Sequence, residues 1–300
     1  PCENKSYFNP SDSAKKNMKP HHLPAFRPLN GVFEPSAIQQ LPDGRLLVVE
    51  DEKEFPFSLL SLDTDGNLST TPLLAEAADS SAPFEKLADL EGVTLDGFGY
   101  IYATTSHSRN TDGEEKKSRD KLVRFRIEGN HAVAPRVVSG LKRALVEAHP
   151  SLAQAATIRE VKTAGGLNIE ALEFSPEETL LIGFRSPLLD NNAIIACLEN
   201  PAAMFNSDEA PRISPSLVTL NLEGNGIRGM SYLPGLGGYL IISGPVSAES
   251  VDFQLWFWRG RPDDQARRVT VDGLPGFAQA EGICPALIAG QQWVVVVSDD

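Results

Sequence analysis

The chain has few of the residues that mark the commonest catalytic and binding motifs. Its three cysteines, Cys2, Cys197 and Cys284, are scattered and odd in number, so they give neither a metal-binding spacing nor a disulfide framework. A Gly-x-Ser-x-Gly elbow, a glycine-rich phosphate loop and a Cys/His zinc pattern are all absent. These absences argue against a serine hydrolase of that type and against an organic cofactor.

Positive charge and long apolar runs are also scarce. The 27 Lys and Arg residues are outnumbered by 40 Asp and Glu, which gives a net charge of −13. We therefore expect no nucleic-acid partner, because phosphate backbones are bound through basic surfaces. No apolar run approaches the roughly 20 residues that span a bilayer, so we expect a soluble protein without a membrane partner, acting as a monomer. Periplasmic or secreted and cytoplasmic locations both stay open, since a signal peptide could have preceded Pro1.

What the sequence does contain is one short motif that occurs five times. Each copy opens on a polar residue, a small residue and an apolar residue, and a hydrophobic strand with a polar end follows it. The openings are Ser36-Ala37-Ile38, Glu91-Gly92-Val93, Glu170-Ala171-Leu172, Arg228-Gly229-Met230 and Glu281-Gly282-Ile283. The ends are Glu50-Asp51, Ser106-His107, Arg185-Ser186, Ser243-Gly244 and Ser298-Asp299. A repeat of this size indicates an array of similar units.

Each unit is predicted to be a β-hairpin, because a turn-forming cluster such as Pro42-Asp43-Gly44 divides two apolar runs. A third strand often follows, as in Ala193 to Leu198. The fold class that follows is an all-β propeller with five recognisable blade repeats, and with five or six blades in total. Because the fifth unit has no outer strands before the chain stops, Ala25 to Phe33 is expected to supply them and close the ring.

Two segments depart from the repeat. Residues 1–22 are rich in Lys, Asn, Ser and Pro and are predicted to form a flexible N-terminal arm. The remaining 23–300 form a single propeller domain with a helical insertion at 140–157. There Leu141, Leu145 and Leu152 have helical spacing, and Pro150 divides the insertion into two short helices.

The hairpin geometry predicts where the polar residues meet. The start of a strand lies beside the end of its antiparallel partner, so the marked positions of all five units face one end of the ring, the rim. Carboxylates and an amide there suit a hard cation such as Ca²⁺ or Mg²⁺. The candidate metal ligands are Glu91, Asn168, Glu170, Glu281 and Asp299; the candidate catalytic residues are His107, Arg109, Arg185 and Arg228. The alternative is that the same charges form a structural ion-pair ring.

Several of these stretches resemble a known family. Asp89 to Val93, Ser106 to Asn110, Gly165 to Glu170, Leu181 to Pro187 and Leu198 to Pro201 are similar to the bacterial domain of unknown function 3616. That resemblance covers roughly residues 35 to 300 and implies a propeller-like fold without an established activity. A looser similarity to lactonase-type and phytase-like esterase propellers implies metal ligands at Glu91, Asn168 and Asp299. Arg228 departs from that pattern, because it stands where a further oxygen ligand would be expected.

Two function hypotheses follow. In the first, the protein is a metal-dependent hydrolase of a small anionic ester, lactone or phosphoester. His107 would then move a proton, and Arg109, Arg185 and Arg228 would hold negative charge. In the second, the protein is a propeller that binds a ligand or a protein without catalysis, and the rim residues pair with one another. The fold alone does not select between the two.

Overall fold

A computed structural model describes residues 28–298, except 51–55, 64–66, 76–86, 248–251, 273–275 and 278. The predicted flexible arm at 1–22 and the last two residues lie outside the described residues. The strands of the described part are β1 (Pro35–Gln40), β2 (Leu46–Glu50), β3 (Phe57–Leu62), β4 (Leu68–Pro72), β5 (Leu74–Ala75), β6 (Leu90–Leu95), β7 (Ile101–Thr105), β8 (Leu122–Glu128), β9 (His131–Val138), β10 (Asn168–Phe174), β11 (Leu180–Ser186), β12 (Ala193–Leu198), β13 (Val218–Leu220), β14 (Gly226–Leu233), β15 (Gly238–Gly244), β16 (Gln254–Trp258), β17 (Arg267–Val269), β18 (Ala280–Ile288) and β19 (Gln291–Ser298). The helices are α1 (Leu141–Ala148), α2 (Pro150–Thr157), α3 (Val161–Ala164) and α4 (Pro201–Asn206), with a 3₁₀ turn at Lys117–Arg119.

The strands form one sheet for each sequence repeat. Three sheets have four strands in simple order, β1 to β4, β10 to β13 and β14 to β17. The second sheet has five strands in the order β5-β9-β8-β7-β6, with β5 parallel to β9. The fifth repeat forms only the antiparallel pair β18–β19 within the described residues. The protein is thus an all-β propeller that has four full blades within the described residues, and the prediction of five or six blades is wrong.

The first strands of the five repeats nevertheless close a ring. In the described part of the chain, β1, β6, β10, β14 and β18 contact one another in that order, and β18 contacts β1. Five apolar clusters lie between successive sheets, for example Leu47 and Phe57 of the first against Leu90 and Phe125 of the second. Each blade therefore buries both of its faces against neighbours. This explains why the second strands β2, β7, β11 and β15 are almost entirely buried and are mainly apolar before their polar ends.

Tight polar turns hold the hairpins at the end of the ring opposite the rim. In the β6–β7 turn, Oδ1 of Asp96 accepts hydrogen bonds from the backbone N–H groups of Phe98 and Tyr100, at 2.9 and 2.8 Å. Gly99 has a φ of 82°, which residues other than glycine rarely adopt. The sequence therefore fixes the strand register locally, because the turn chemistry leaves one way to reverse the chain.

The insertion has the two helices that the sequence predicts. Leu141 and Leu145 of α1 and Leu152 of α2 are buried in the cluster between the second and third sheets. Pro150 stands in the first turn of α2, where its missing N–H costs nothing. No described helix is long and apolar enough to cross a membrane.

The segment before β1 differs from its prediction. Residues 28–33 form no strand, so the expectation that Ala25 to Phe33 supplies an outer strand is wrong for that part, and 25–27 lie outside the described residues. Leu29 and Val32 instead pack against the apolar cluster between the fifth and first sheets. Cys284 is buried in the same cluster, and burial raises the pKa of its thiol to about 12. Cys197 is also a free thiol, as expected.

We expect the substitution Gly229→Ala to destabilise the ring strongly. A methyl group on Gly229 would overlap the carbonyl oxygen of Glu281 in the next inner strand. Because backbone must move to relieve that overlap, the free energy of unfolding should fall by about 3 kcal/mol, at the upper end for overpacked sites. Urea denaturation of Gly235→Ala is the control, since nothing lies within 4 Å of a methyl group at Gly235 in the β14–β15 turn. Equal stability of the two variants would contradict the inference that the inner strands lie too close together for a methyl group at position 229.

Candidate functional site

The rim is built by a β-bulge that recurs in every repeat. The pairing register of each inner hairpin shifts at the same place, between Pro35 and Ala37 in the first and at the equivalent positions of the other four. The extra residue of each bulge is the first residue of the sequence motif. These five bulge residues are Ser36, Glu91, Glu170, Arg228 and Glu281. A bulge re-aims the side chain of its extra residue, and this equivalence explains why a single sequence motif marks all five positions.

The three bulge glutamates converge on the axis of the ring. Glu91, Glu170 and Glu281 line one cavity together with the small residues that follow them. Its volume is about 10 Å³, which is room for roughly one water molecule. The three glutamates thus line the same axial cavity, but this space is too small for an organic ligand. A ligand of that size would have to bind above the axis, on the rim.

Arg228 pairs with two of these glutamates. Its Nη1 donates to Oε1 of Glu170 at 3.2 Å, and its Nε lies 2.9 Å from Oε2 of the same carboxylate. Its Nη2 donates to Oε1 of Glu281. The side chains of Arg228 and Glu170 are only 8% and 4% exposed. One guanidinium therefore neutralises the negative charge of the glutamates at two bulges. Because this ion pair is largely excluded from water, it stabilises the protein only if its hydrogen bonds offset the cost of desolvation.

Arg185 and Asn168 complete the surroundings of Glu170. Nη1 of Arg185 donates to Oε1 of Glu170 at 3.1 Å, and Nδ2 of Asn168 donates to the same oxygen at 2.9 Å. Arg185 also donates from Nε to the carbonyl of Pro245. Two polar groups are left over beside Glu170. No described residue accepts from Nη2 of Arg185, and Oδ1 of Asn168 is buried without a hydrogen-bond partner among the described residues.

His107 lies at the end of β7 in a buried relay. Its Nδ1 is 2.9 Å from Oδ1 of Asp120, and its Nε2 is 3.1 Å from Oγ1 of Thr104. The imidazole is fully buried, and the backbone of His107 has a φ of 55°. Burial opposes ionisation of Asp120, but the hydrogen bond and charge of His107, with help from Lys142, hold the pKa of this carboxyl below its usual value. Both ring nitrogens are engaged, so the imidazole has no nitrogen left for a rim ligand in this arrangement.

Arg109 is directed towards the helical insertion. Its Nε donates to the carbonyl of Ala156 in α2 at 3.1 Å, and its Nη1 donates to the carbonyl of Gly113 at 3.2 Å. Its Nη2 pairs with Glu115. These contacts tie the loop after β7 to the helices. Arg109 is therefore not brought into the network around Glu170, although both belong to the predicted site.

A cluster of hydrogen-bonded polar side chains around Asp89, beside His107, was not predicted from the sequence. Oδ2 of Asp89 accepts hydrogen bonds from Arg119 at 2.7 Å, from Ser108 at 3.2 Å and from Ser106. Asp89 lies two residues before the bulge residue Glu91 and adopts a φ of 63°. The sequence analysis marked the Asp-Leu-Glu-Gly and Ser-His-Ser stretches that contribute Asp89, Ser106 and Ser108. No sequence pattern, however, indicated that either stretch contacts Arg119.

Glu173 is a second buried carboxylate that the sequence did not single out. Its oxygens accept four hydrogen bonds, from the side chains of Thr94 and Ser231 and from the backbone N–H groups of Phe174 and Tyr232, at 2.7 to 2.9 Å. These partners come from β6, β10 and β14, three successive inner strands. Burial raises the pKa of Glu173, and the four donors only partly offset that effect. Glu173 therefore ties three blades together at a cost in desolvation.

Glu50 likewise serves the structure. Its carboxylate is fully buried and accepts hydrogen bonds from the backbone N–H of Phe33 at 2.7 Å and from the hydroxyl of Ser58. Asp51, Asp299 and Asp300 lie outside the described residues, so the predicted metal ligand Asp299 has no structural counterpart here.

The donor set fits a calcium or magnesium ion poorly. Both oxygens of Glu170 face arginine groups, and Glu281 bonds Arg228, so positive charge already stands beside the carboxylates that the ion would use. The nitrogen of Asn168 bonds Glu170, so this residue would offer an ion only its Oδ1. Within the described residues no group of three or more His, Cys, Asp or Glu side chains is arranged to hold a metal.

Comparisons with known proteins give distant propeller structures. No protein-family model and no curated protein matches the chain, so the predicted membership of the domain of unknown function 3616 family is not confirmed. The holo PQQ domain of pyranose dehydrogenase from Coprinopsis cinerea is 10% identical, with a TM-score of 0.47 over 90% of this chain and 91% of that one. A gluconolactonase from Xanthomonas campestris is 12% identical, with a TM-score of 0.40 over 89% and 70%. YCF48 from Cyanidioschyzon merolae is 11% identical, with a TM-score of 0.38 over 89% of this chain, which spans 65% of its length. Similarities this distant carry no information about activity.

We expect Arg228→Met to destabilise the protein by about 3 kcal/mol, because it removes the guanidinium that bonds both Glu170 and Glu281. The matched control is Arg143→Met, which breaks the exposed pair with Glu147 on α1. That variant should lose less than about 0.5 kcal/mol, as exposed pairs do. Both free energies come from urea denaturation at pH 7. Similar losses for the two variants would mean that the rim network contributes no more than a surface pair.

Glu173 should make stability depend on pH in a defined direction. Its pKa in the folded state lies above the value of 4.5 for an unperturbed glutamate. The unfolded chain therefore loses this proton first as the pH rises, and the carboxylate costs increasing stability until the folded pKa is passed. The difference in unfolding free energy between the wild type and Glu173→Gln should thus favour the wild type most at and below pH 4.5 and decline as the pH rises above that value. A difference that rises with pH would contradict this assignment.

Proposed function

We propose that the protein is a propeller that binds a small polar ligand at its rim without catalysing a reaction. The observation that carries the proposal is the network around Glu170, in which Arg228, Arg185 and Asn168 bond one buried carboxylate. A hydrolase would need its carboxylates available for a cation or for proton transfer. Here the guanidinium groups already hold them.

The predicted catalytic residues support binding better than catalysis. A general base must reach the reacting group through a hydrogen bond, or through one water molecule. His107 is fully buried between Asp120 and Thr104, and Arg109 bonds backbone carbonyls of the insertion. Of the four catalytic residues that the metal-dependent hydrolase hypothesis predicts, only Arg185 and Arg228 therefore belong to the network around Glu170.

The ligand class follows from the two polar groups left over beside Glu170. Nη2 of Arg185 can donate to an acceptor of the ligand, and Oδ1 of Asn168 can accept from a donor. The two lie close together because both residues bond Oε1 of Glu170. A carboxylic acid that also carries a hydroxyl or amide N–H would satisfy both groups. Arginine is well suited to such a role, because its planar donors match a carboxylate.

The proposal predicts that a carboxylate probe stabilises the protein through Arg185. Malonate, added at constant ionic strength against a chloride control, should raise the Tm of the wild type in a concentration-dependent way, because a ligand that binds the native state stabilises it. Arg185→Gln should abolish that rise, and the surface variant Arg143→Gln should keep it. No rise in the wild type, or an equal rise in Arg185→Gln, would contradict carboxylate binding at the rim.

The same assay separates the binding and hydrolase hypotheses. After chelation, adding Ca²⁺, Mg²⁺ or Mn²⁺ should leave the Tm unchanged if guanidinium groups supply the positive charge of the rim. A rise of several degrees with one ion that is lost in Glu91→Gln would favour the hydrolase. That outcome would call for assays with ester, lactone and phosphoester substrates.

A further inference from the structure

Arg124 is a buried cation without an acidic partner. It lies on β8, the third strand of the second sheet, and is only 6% exposed. No carboxylate or other acceptor among the described residues forms an ion pair or a hydrogen bond with its guanidinium. A buried charge is normally paired, because its removal from water is costly unless an opposite charge compensates. The position therefore calls for a partner from outside the described part of the chain.

Two aromatic rings flank this guanidinium. Its Cζ lies over the ring of Tyr100, 4.4 Å from the centroid, and over the ring of Phe205 in α4 at 4.8 Å. These cation–π contacts hold the charge in place, but they use none of its N–H groups as hydrogen-bond donors. None of its nitrogens is both sealed from solvent and without a partner. The donors of Arg124 are thus held in position and are still accessible.

Arg126 presents a second unpaired charge at the same ring. Its Cζ lies 4.1 Å from the centroid of Tyr100, so Arg124 and Arg126 stack on one aromatic side chain. Its Nη2 donates to the carbonyl of Phe98 at 3.1 Å, and no described carboxylate pairs with it. Two neighbouring guanidinium groups therefore lack negative charge, in a protein whose net charge is −13.

Arg136 adds to the positive charge on this face. It stands directly opposite Arg124 in the β8–β9 ladder, where two like charges destabilise a sheet. Its Nη2 donates to Asp208 at 2.8 Å, and its Nη1 donates to the carbonyl of Phe205. Asp208 therefore compensates Arg136 but leaves Arg124 and Arg126 without an anion.

A buried hydroxyl beside Arg124 also lacks a partner. Tyr102 stands opposite Arg124 in the β7–β8 ladder and is fully buried, and its Oη has no hydrogen-bond partner among the described residues. Burial raises the pKa of this phenol, and the nearby Arg124 offsets that effect only in part. Tyr102 therefore keeps its proton near neutral pH, which leaves one more unused donor next to those of Arg124.

We propose that this face of the second blade binds the phosphate group of a phosphate monoester. We name it the Arg124 site; it consists of Tyr100, Tyr102, Arg124, Arg126 and Phe205. Its two unpaired arginines match a doubly charged anion, and a phosphate monoester has nearly two negative charges at neutral pH. The planar donors of arginine also bond phosphate oxygens in pairs. The site shares no residue with the network around Glu170, so it is separate from ligand binding at the rim.

An NMR titration of the full chain with inorganic phosphate at pH 7.5 tests the proposal. At constant ionic strength, phosphate should shift the amide signals of β8 and α4 saturably, and chloride should not. The amides of Glu170 and Arg185 at the rim should stay unchanged. Acetate has one negative charge, so it should bind at least about tenfold more weakly than phosphate. No saturable shift at β8 and α4, or equal affinity for acetate, would overturn the proposal.

Point variants assign the binding to these arginines. Arg124→Lys keeps the charge but loses the planar donors and should lose most of the phosphate affinity. Arg126→Gln changes an exposed residue, so it should fold normally and bind phosphate about tenfold more weakly even if Arg124→Lys fails to fold. The surface variant Arg143→Gln and the rim variant Arg185→Gln should bind phosphate as the wild type does. Wild-type affinity in Arg126→Gln, or a loss of affinity in Arg185→Gln, would overturn the assignment.

Two esters distinguish the sources of the phosphate group. O-phospho-L-serine represents a phosphorylated peptide, and glucose 6-phosphate represents a phosphorylated sugar. At least one of them should shift the same amides with an affinity no weaker than that of inorganic phosphate, and the tighter one identifies the class of ligand. If neither ester binds, the site does not recognise phosphate monoesters and the proposal is wrong.

Discussion

The close approach of the five inner strands at the axis is the constraint on which the rest of the structure depends. At the same position of every repeat the side chain is a hydrogen atom or a methyl group: Ala37, Gly92, Ala171, Gly229 and Gly282. An added methyl group on Gly282 would lie 2.9 Å from the Cα of Ala37 in the next repeat, and one on Gly92 would lie 2.9 Å from Cβ of Leu172. The ring can close only because these side chains are small. The axis is consequently filled by backbone, and ligand-sized space can exist only towards the ends of the ring.

The same constraint creates the rim. The bulge residue directly precedes the small residue in each repeat, so five side chains are placed around the axis just above the narrowest point. With three glutamates, one arginine and one serine, this ring is not symmetric in charge. Glu170 becomes its centre because it lies between Arg185 of its own hairpin and Arg228 of the next blade. Below it, Glu173 uses hydroxyl and backbone donors in place of cations. The inner strand β10 thus contributes two buried carboxylates: arginine side chains offset the burial of Glu170, and neutral hydrogen-bond donors partly offset that of Glu173.

The sequence predicts those parts of the fold that depend on local chemistry. Turn clusters and apolar runs give the hairpins, and the repeated opening gives the equivalence of the bulge residues. The two helices of the insertion follow from the spacing of Leu141, Leu145 and Leu152. The blade count was wrong because the fifth repeat has a hairpin but no described outer strands, and counting motifs does not count strands. Pairings such as Asp89 with Arg119, 30 residues apart, were missed because no periodic pattern links a strand start to a distant loop. Glu173 was missed because it sits within an apolar run, where its three-blade contacts leave no local trace.

Arg228 decides how the rim charges can be used. Three equivalent bulges carry glutamate, and a fourth carboxylate at position 228 would have required a bound cation to offset the repulsion. The guanidinium supplies that positive charge permanently, because arginine does not lose its proton in proteins. A metal ion at Glu170 would therefore have to displace Arg228 and leave it buried beside another cation, which is costly. A ligand that leaves the network intact avoids this penalty, and it can still use the spare donor of Arg185 and the spare acceptor of Asn168. For this reason the charge pattern that first suggests a metal centre favours recognition of a polar ligand once the partners of Arg228 are known.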